Sequence, residues 1–102
     1  MKVRYFGRLR ELLDAKREEY QIDEGAVIVD LLLKYIPERH LEIAESWRAT
    51  IFRTARGEIL VKKDGMPLLR NYLVLVGGRS STLNHRLADG DEVTVLPPFG
   101  GG

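Results

Sequence analysis

The stretch "GAVIVDLLLKYIP" (Gly25 to Pro37) spaces Ile28, Leu31, Leu32, Tyr35 and Ile36 at i, i+3, i+4, i+7 and i+8. This is the apolar stripe of an amphipathic helix, and such a helix folds only against a surface that covers the stripe. Gly25 breaks the chain before it, and Pro37 ends or kinks it. The flanking segments predict what does the covering. Lys2 to Phe6 alternates basic and apolar residues and reads as a strand, with Val3 and Phe6 toward a core and Tyr5 blurring the period. After Gly7, Leu9, Leu12 and Leu13 suit a short helix over Arg8 to Ala15. Arg17 to Ile22 then reads as a second strand with Tyr20 and Ile22 on one face, in an antiparallel pair with the first.

Beyond the main helix, Glu38 to Trp47 reads as a second helical stretch carrying Leu41, Ile43, Ala44 and Trp47. "ATIFRT" and "EILVKK" around "ARG" predict a hairpin at Ala49 to Lys63, and "DGMP" (Asp64 to Pro67) a turn. "NYLVLV" (Asn71 to Val76) is a continuous apolar run, expected as a central strand buried on both faces and ended by Gly77-Gly78. Asp89-Gly90-Asp91 predicts a turn with an αL glycine and side-chain caps, and Glu92 to Leu96 a last strand. Pro97 and Pro98 forbid that strand's continuation inside a sheet. Two hairpin-type units thus flank one helix. A sheet whose first and last strands lie side by side, crossed by that helix, buries the stripe: an α+β roll with a mixed sheet and an inserted helix and hairpin in the middle.

Bulk properties narrow the function classes. With 102 residues the chain has the size of one compact domain, expected over 1–96 with a functional tail at 97–102. It contains no cysteine, which excludes disulfides, thiolate metal ligands and a cysteine nucleophile, and fits a cytoplasmic setting. Sixteen basic and fifteen acidic residues are interspersed for a net charge of +1, so no one-sided basic footprint for nucleic acid exists. No apolar run approaches the roughly 18 residues that span a bilayer, and "MKVRYFGRLREL" does not read as a signal peptide. His40 and His85 lack companions at metal-ligand spacing and are expected at the surface, with no metal bound. Ser80, Ser81 and Thr82 form no nucleophile pattern, and Gly77-Gly78 lacks the lysine of a phosphate loop. Trp47 is expected as core or as a helix anchor.

The tail carries the most specific chemistry. Pro97-Pro98 holds the chain stiff and extended as it leaves the last strand. Gly100, Gly101 and Gly102 have no side chains and can thread a channel too narrow for any Cβ. Phe99 is an apolar handle in front of them. Such an end can present a carboxylate inside another protein's active site, where ATP converts it to an acyl-adenylate open to nucleophiles. Terminal glycines also occur as frayed ends or cloning remnants, so the rigid exit is what favours a working tail.

"FGRLREL" (Phe6 to Leu12), "VIVDLLLKYI", "LADGDEVTVLPP" (Leu87 to Pro98) and the Gly-Gly end together resemble the MoaD and ThiS sulfur carriers, relatives of ubiquitin. The Pro-Pro form is more similar to MoaD. The resemblance implies a β-grasp fold. It further implies that Gly102 is adenylated by a MoeB-type or ubiquitin-activating-type enzyme using ATP and converted to a thiocarboxylate, the carrier itself being non-catalytic and holding no cofactor. In MoaD proteins a larger MoaE-like subunit accepts the tail, in a molybdopterin synthase that builds the dithiolene of the molybdenum cofactor. Phe6 and Arg10 match the family's Phe-x-x-x-Arg motif and, with Leu96, Pro97, Pro98 and Phe99, are the expected partner-docking residues. Core for Phe6 and Leu96, and a solvated charge for Arg10, remain alternatives. The chain departs from the family at Gly77, where Asn is usual, at Val27, where a capping Thr is usual, and in a longer middle over Pro37 to Arg70. Two other functions stay open. One is a protein modifier of the small archaeal or ubiquitin-related type, joined through Gly102 to lysines. The other is a β-grasp binding module with an idle tail.

Overall fold

The computed structural model describes residues 1–97. Five strands form a mixed sheet in the order β2-β1-β7-β5-β6, built from β1 (Lys2–Tyr5), β2 (Arg17–Glu19), β5 (Leu73–Val76), β6 (Arg79–Ser80) and β7 (Glu92–Leu96). The first and last strands lie side by side and parallel, Val3 opposite Val93 and Tyr5 opposite Val95, while the other pairs are antiparallel. With the main helix packed on one face, this is the β-grasp roll expected from the sequence.

The main helix runs over 28–39, and every residue of its inward stripe except Tyr35 is buried: Ile28, Leu31, Leu32 and Ile36. Each such side chain contributes roughly 1.5–3 kcal/mol by burial. Val27 offers no side-chain cap, and the backbone compensates. The N–H groups of Ile28 and Val29 donate to the carbonyls of His85 and Leu83, and Val27 N–H donates to the Asp30 carboxylate at 2.9 Å.

Pro37 neither ends nor breaks the helix. Leu31–Tyr35 instead forms a π turn in which Ile36 N–H reaches back five residues to Leu31 O. That register leaves Leu32 O without a helical donor: Ile36 N–H is spent on Leu31, and Pro37 has none to give. The indole N–H of Trp47 fills the vacancy at 2.8 Å, and Trp47 is completely buried.

The inserted middle is therefore part of the core. After His40 a single 3-10 turn (Leu41–Ile43) leads into a helix over Ala44–Ile51. Trp47 and Ile51, one turn apart, both face inward. Trp47 packs edge-on against Tyr5, ring centroids 6.2 Å apart. This corrects the expectation of a hairpin from Ala49. The packing of Trp47 and Ile51 carries the helix through Thr50 and Ile51, and the strands are confined to β3 (Thr54–Ala55) and β4 (Glu58–Ile59). The left-handed pair Arg56 and Gly57 turns that hairpin.

Three further expectations need correction. Tyr5, not Phe6, joins Val3 in the core, so the period-2 alternation of β1 is regular and only the reading of its phase was off by one. The central strand is β7, not "NYLVLV". In β5 only Val74 is buried, because no element among the described residues covers the outer face of the sheet, where Leu73 is 40% exposed. Gly90 is not at positive φ; Asp91 alone organises its turn, accepting Ala88 N–H on its carboxylate at 2.8 Å. Among the described residues no helix is long and apolar enough to cross a membrane.

Candidate functional site: the strand end that emits the tail

β1 and β7 run parallel, so both finish at the same edge of the sheet. Phe6 N–H extends the ladder by one bond, donating to Val95 O at 3.1 Å. Gly7 then turns the chain with φ 64° and ψ −141°, a combination essentially reserved for glycine. The turn starts the short helix Arg8–Leu13, which brings Arg10 back over the strand end. Its Nε donates to Tyr5 O at 2.8 Å, and its guanidinium carbon stands 4.6 Å above the Phe6 ring. Arg4 also places its guanidinium carbon 5.5 Å from the same ring while loosely pairing with Glu92 at 3.6 Å. Phe6 is thus a half-buried ring in contact with two cations, each contact worth about 0.5–1 kcal/mol at an exposed site.

Leu96 and Pro97 complete this edge, both half-buried. Leu96 lies opposite Leu73 in the register. Strand alternation puts Leu96, Leu73 and Phe6 on the uncovered face of the sheet, with Arg4 beside them. The result is a small apolar patch with a cationic rim, set where the chain leaves the fold. It suits docking onto a protein surface.

Phe6, Arg10, Leu96 and Pro97 are therefore brought together, as the sequence suggested. Neither alternative for Phe6 and Arg10 holds alone: Phe6 is not core, and Arg10 is a half-buried donor to the backbone rather than a solvated charge. Pro98, Phe99, Gly100, Gly101 and Gly102 lie outside the described residues. Arg4 and Leu73 were missed. The signal for Arg4 was available, since taking Tyr5 as inward places Arg4 and Phe6 together on the outer face; Leu73 is placed by its register opposite Leu96.

A second polar cluster sits elsewhere. His40 is not a surface residue. Its Nε2 meets both carboxylate oxygens of Glu18, which also accepts the hydroxyls of Tyr5 at 2.8 Å and Tyr20 at 3.0 Å and lies 3.3 Å from Arg39 Nε. Burial pushes the Glu18 carboxyl upward, but the hydrogen bonds from His40, Tyr5 and Tyr20 and the His40 charge outweigh it and leave it below its ordinary value. Burial first, then the neighbouring Tyr20 and Glu18, raise the Tyr5 hydroxyl far above its ordinary range, so it stays a donor. Among the described residues no three His, Cys, Asp or Glu converge as metal ligands.

The sequence pattern of the ThiS family matches residues 3–102. The chain belongs to the ThiS family. Among solved structures, this ThiS-family chain is similar to a candidate molybdopterin converting factor, subunit 1, from Pyrococcus furiosus. That match has 32% identity over 95% of this chain and 94% of the other, with a TM-score of 0.65. It also resembles small archaeal modifier protein 1 of Haloferax volcanii, at 23% identity over 96% and 95% of the two chains and a TM-score of 0.67. Sulfolobus solfataricus Urm1 is similar at 17% identity over 95% and 99%, with a TM-score of 0.55. The latter two likenesses concern the fold alone. No curated protein matches the chain. Small carriers of the ThiS and MoaD type are in general non-catalytic and work with adenylating enzymes.

Proposed function

We propose that this ThiS-family protein is a sulfur carrier, the MoaD-like small subunit of a molybdopterin synthase, with the Gly102 carbonyl as its reactive centre. The observation that carries the reading is the family match extending to residue 102, past a strand that leaves the sheet beside Phe6 and Arg10. The chemistry runs in two steps on partner proteins. The Gly102 carboxylate oxygen attacks the α-phosphorus of ATP on a MoeB-type enzyme, and pyrophosphate leaves. The terminal sulfur of a donor persulfide then adds to the acyl carbon and AMP leaves; a second thiolate attacks the donor-side sulfur of the resulting acyl disulfide, which forms a disulfide and releases the thiocarboxylate. A MoaE-like subunit receives the charged tail; there the thiocarboxylate sulfur attacks an electrophilic carbon of a pterin precursor and displaces an oxygen substituent, and water then cleaves the acyl–sulfur bond, which returns the carboxylate and leaves the sulfur on the pterin. The patch of Phe6, Leu73 and Leu96, rimmed by Arg4 and Arg10, serves as the dock for both partners. The chain itself binds no cofactor.

Intact mass after incubation with an activating enzyme, ATP and a sulfur donor tests this. A gain of one sulfur-for-oxygen exchange, absent when Gly101 and Gly102 are removed, is expected. An unchanged mass with an enzyme proven active on its own carrier rejects the proposal.

A second reading shares the adenylated Gly102 and ends in an isopeptide bond to a lysine of another protein. The likeness to small archaeal modifier protein 1 is what favours it. Gly-Gly remnants on lysines of other proteins in digested cells support conjugation. A stoichiometric complex with a MoaE-like subunit supports the carrier.

A further inference from the structure

The register of the strands arranges the uncovered face of the sheet in rows. The row at the strand end beyond which β7 leaves the sheet is apolar, with Phe6, Leu96 and Leu73. The row farthest from it, Glu19, Lys2 and Glu92, sets opposite charges beside each other. The row between them starts with two arginines, Arg17 on β2 and Arg4 on β1, and continues through Thr94 and Leu75. The two arginines are close neighbours. Tyr5 N–H donates to Lys16 O at 2.9 Å and Tyr20 N–H to Met1 O at 2.8 Å, so Tyr5 with Lys16 and Met1 with Tyr20 are hydrogen-bonded pairs. Alternation makes Arg4 and Arg17 a non-hydrogen-bonded pair, the kind whose side chains stand closest. Like charges directly opposite in a sheet are destabilising. The chain relieves this only in part. Glu92 reaches Arg4 loosely, at 3.6 Å, and among the described residues Arg17 has no ion pair. Glu19, on the same face of β2, stands opposite Lys2. Arg4 and Arg17 are both exposed.

We infer that Arg4 and Arg17 receive a carboxylate of the adenylating partner, set between the two guanidinium groups while Phe6, Leu73 and Leu96 take that partner's apolar contact. The inference rests on the carrier reading and extends its dock from β1 and β7 onto β2. Charge selects this occupant. A carboxylate between two guanidinium groups accepts from both, and a repulsion becomes two charge-assisted hydrogen bonds. The relief comes only on docking, since the free chain holds the two cations side by side. Two arginines on a chain of net charge +1 are too few to follow the phosphate backbone of a nucleic acid. The apolar row alongside them matches a protein surface instead, an apolar centre with a polar rim. Arg17 thus acts in partner choice: a surface without an acidic group at this place leaves the pair unrelieved.

Arg17→Glu tests this, because stability and docking are expected to move in opposite directions. In the free chain the substitution turns a like-charge pair into an ion pair with Arg4, and the melting temperature should rise by about 2–4 °C. With a MoeB-type enzyme that charges the wild-type chain, kcat/KM for charging should fall about tenfold at low ionic strength. The deficit should shrink to about twofold in about 0.5 M salt. Arg17→Lys keeps the charge and should retain most of the wild-type kcat/KM. Lys34→Glu makes the same change of net charge on the main helix, which packs on the other face of the sheet, and should be charged normally. A melting temperature that fails to rise in Arg17→Glu overturns the inference. So does undiminished charging of that variant, or a loss as large in Arg17→Lys or Lys34→Glu. So does a wild-type dimer in sedimentation that Arg17→Glu breaks up, which marks a second copy as the occupant. The two failures are distinct. Equal charging of wild type and Arg17→Glu removes only the arginine pair. A wild-type chain never charged by an enzyme proven active on its own carrier rejects the carrier reading, and the inference that rests on it.

Discussion

His40 Nε2 stands 2.9 Å from each carboxylate oxygen of Glu18, tying the end of the main helix to β2 across 22 residues of sequence. The carboxylate is 8% exposed and accepts two tyrosine hydroxyls as well. Its folded pKa lies below the ordinary value, so the unfolded state binds its proton first as pH falls. The stability it contributes is complete above the unfolded value of about 4.3 and is lost as pH drops through the folded value. Urea unfolding between pH 7 and 3 should show this decline, and Glu18→Ala should flatten that part of the profile. At neutral pH the variant should cost about 1–3 kcal/mol, since Tyr5 and Tyr20 lose their acceptor.

Trp47→Phe should cost about 2–4 kcal/mol, combining lost burial with an unpaired Leu32 carbonyl. Pro37→Ala should offset part of that loss by restoring an N–H to the helix at the π turn. A double-mutant cycle from chemical denaturation should give a coupling of roughly 1 kcal/mol. Strict additivity would show that the indole N–H and the proline are independent.

Gly7→Ala should destabilise the fold by about 1–3 kcal/mol. Space is not the reason: an added Cβ would lie 3.5 Å from Pro97 Cγ, an ordinary contact. The backbone angles are the reason, and a D-alanine placed at position 7 by semisynthesis should recover most of the loss.

Phe6→Ala and Arg10→Ala separate docking from folding. Phe6 is half-buried on the uncovered face, so its removal should change the melting temperature little while lowering kcat/KM for tail charging about tenfold, the scale of an interface anchor. Arg10→Ala should additionally lower stability by about 1 kcal/mol, because Tyr5 O loses its side-chain donor.

Where local pattern and tertiary demand agree, the sequence was readable. The stripe of Ile28, Leu31, Leu32 and Ile36 and the alternation of Val93 and Val95 in β7 name their own faces, while the specific β-grasp arrangement leaned on the family resemblance. Phe6 and Arg10 were legible as a pair only through the resemblance to the family's Phe-x-x-x-Arg motif. What stayed hidden depends on contacts remote in sequence. The helix through Thr50 and Ile51 is set by Trp47 against Tyr5 and Leu32, and no local propensity announces it. The burial of His40 depends on Glu18 from a strand over twenty residues earlier. "NYLVLV" misled because an apolar run reports hydrophobicity without saying whether a second layer exists to cover it.

β7 is hydrogen-bonded along both edges, to β1 on one side and β5 on the other, and it is the strand that continues into the tail. A pull on the C-terminus runs along these ladders and loads their bonds in shear, all together, instead of unzipping them one by one as at a sheet edge. Load applied along the axis of β7 is therefore shared by two ladders at once, one parallel and one antiparallel.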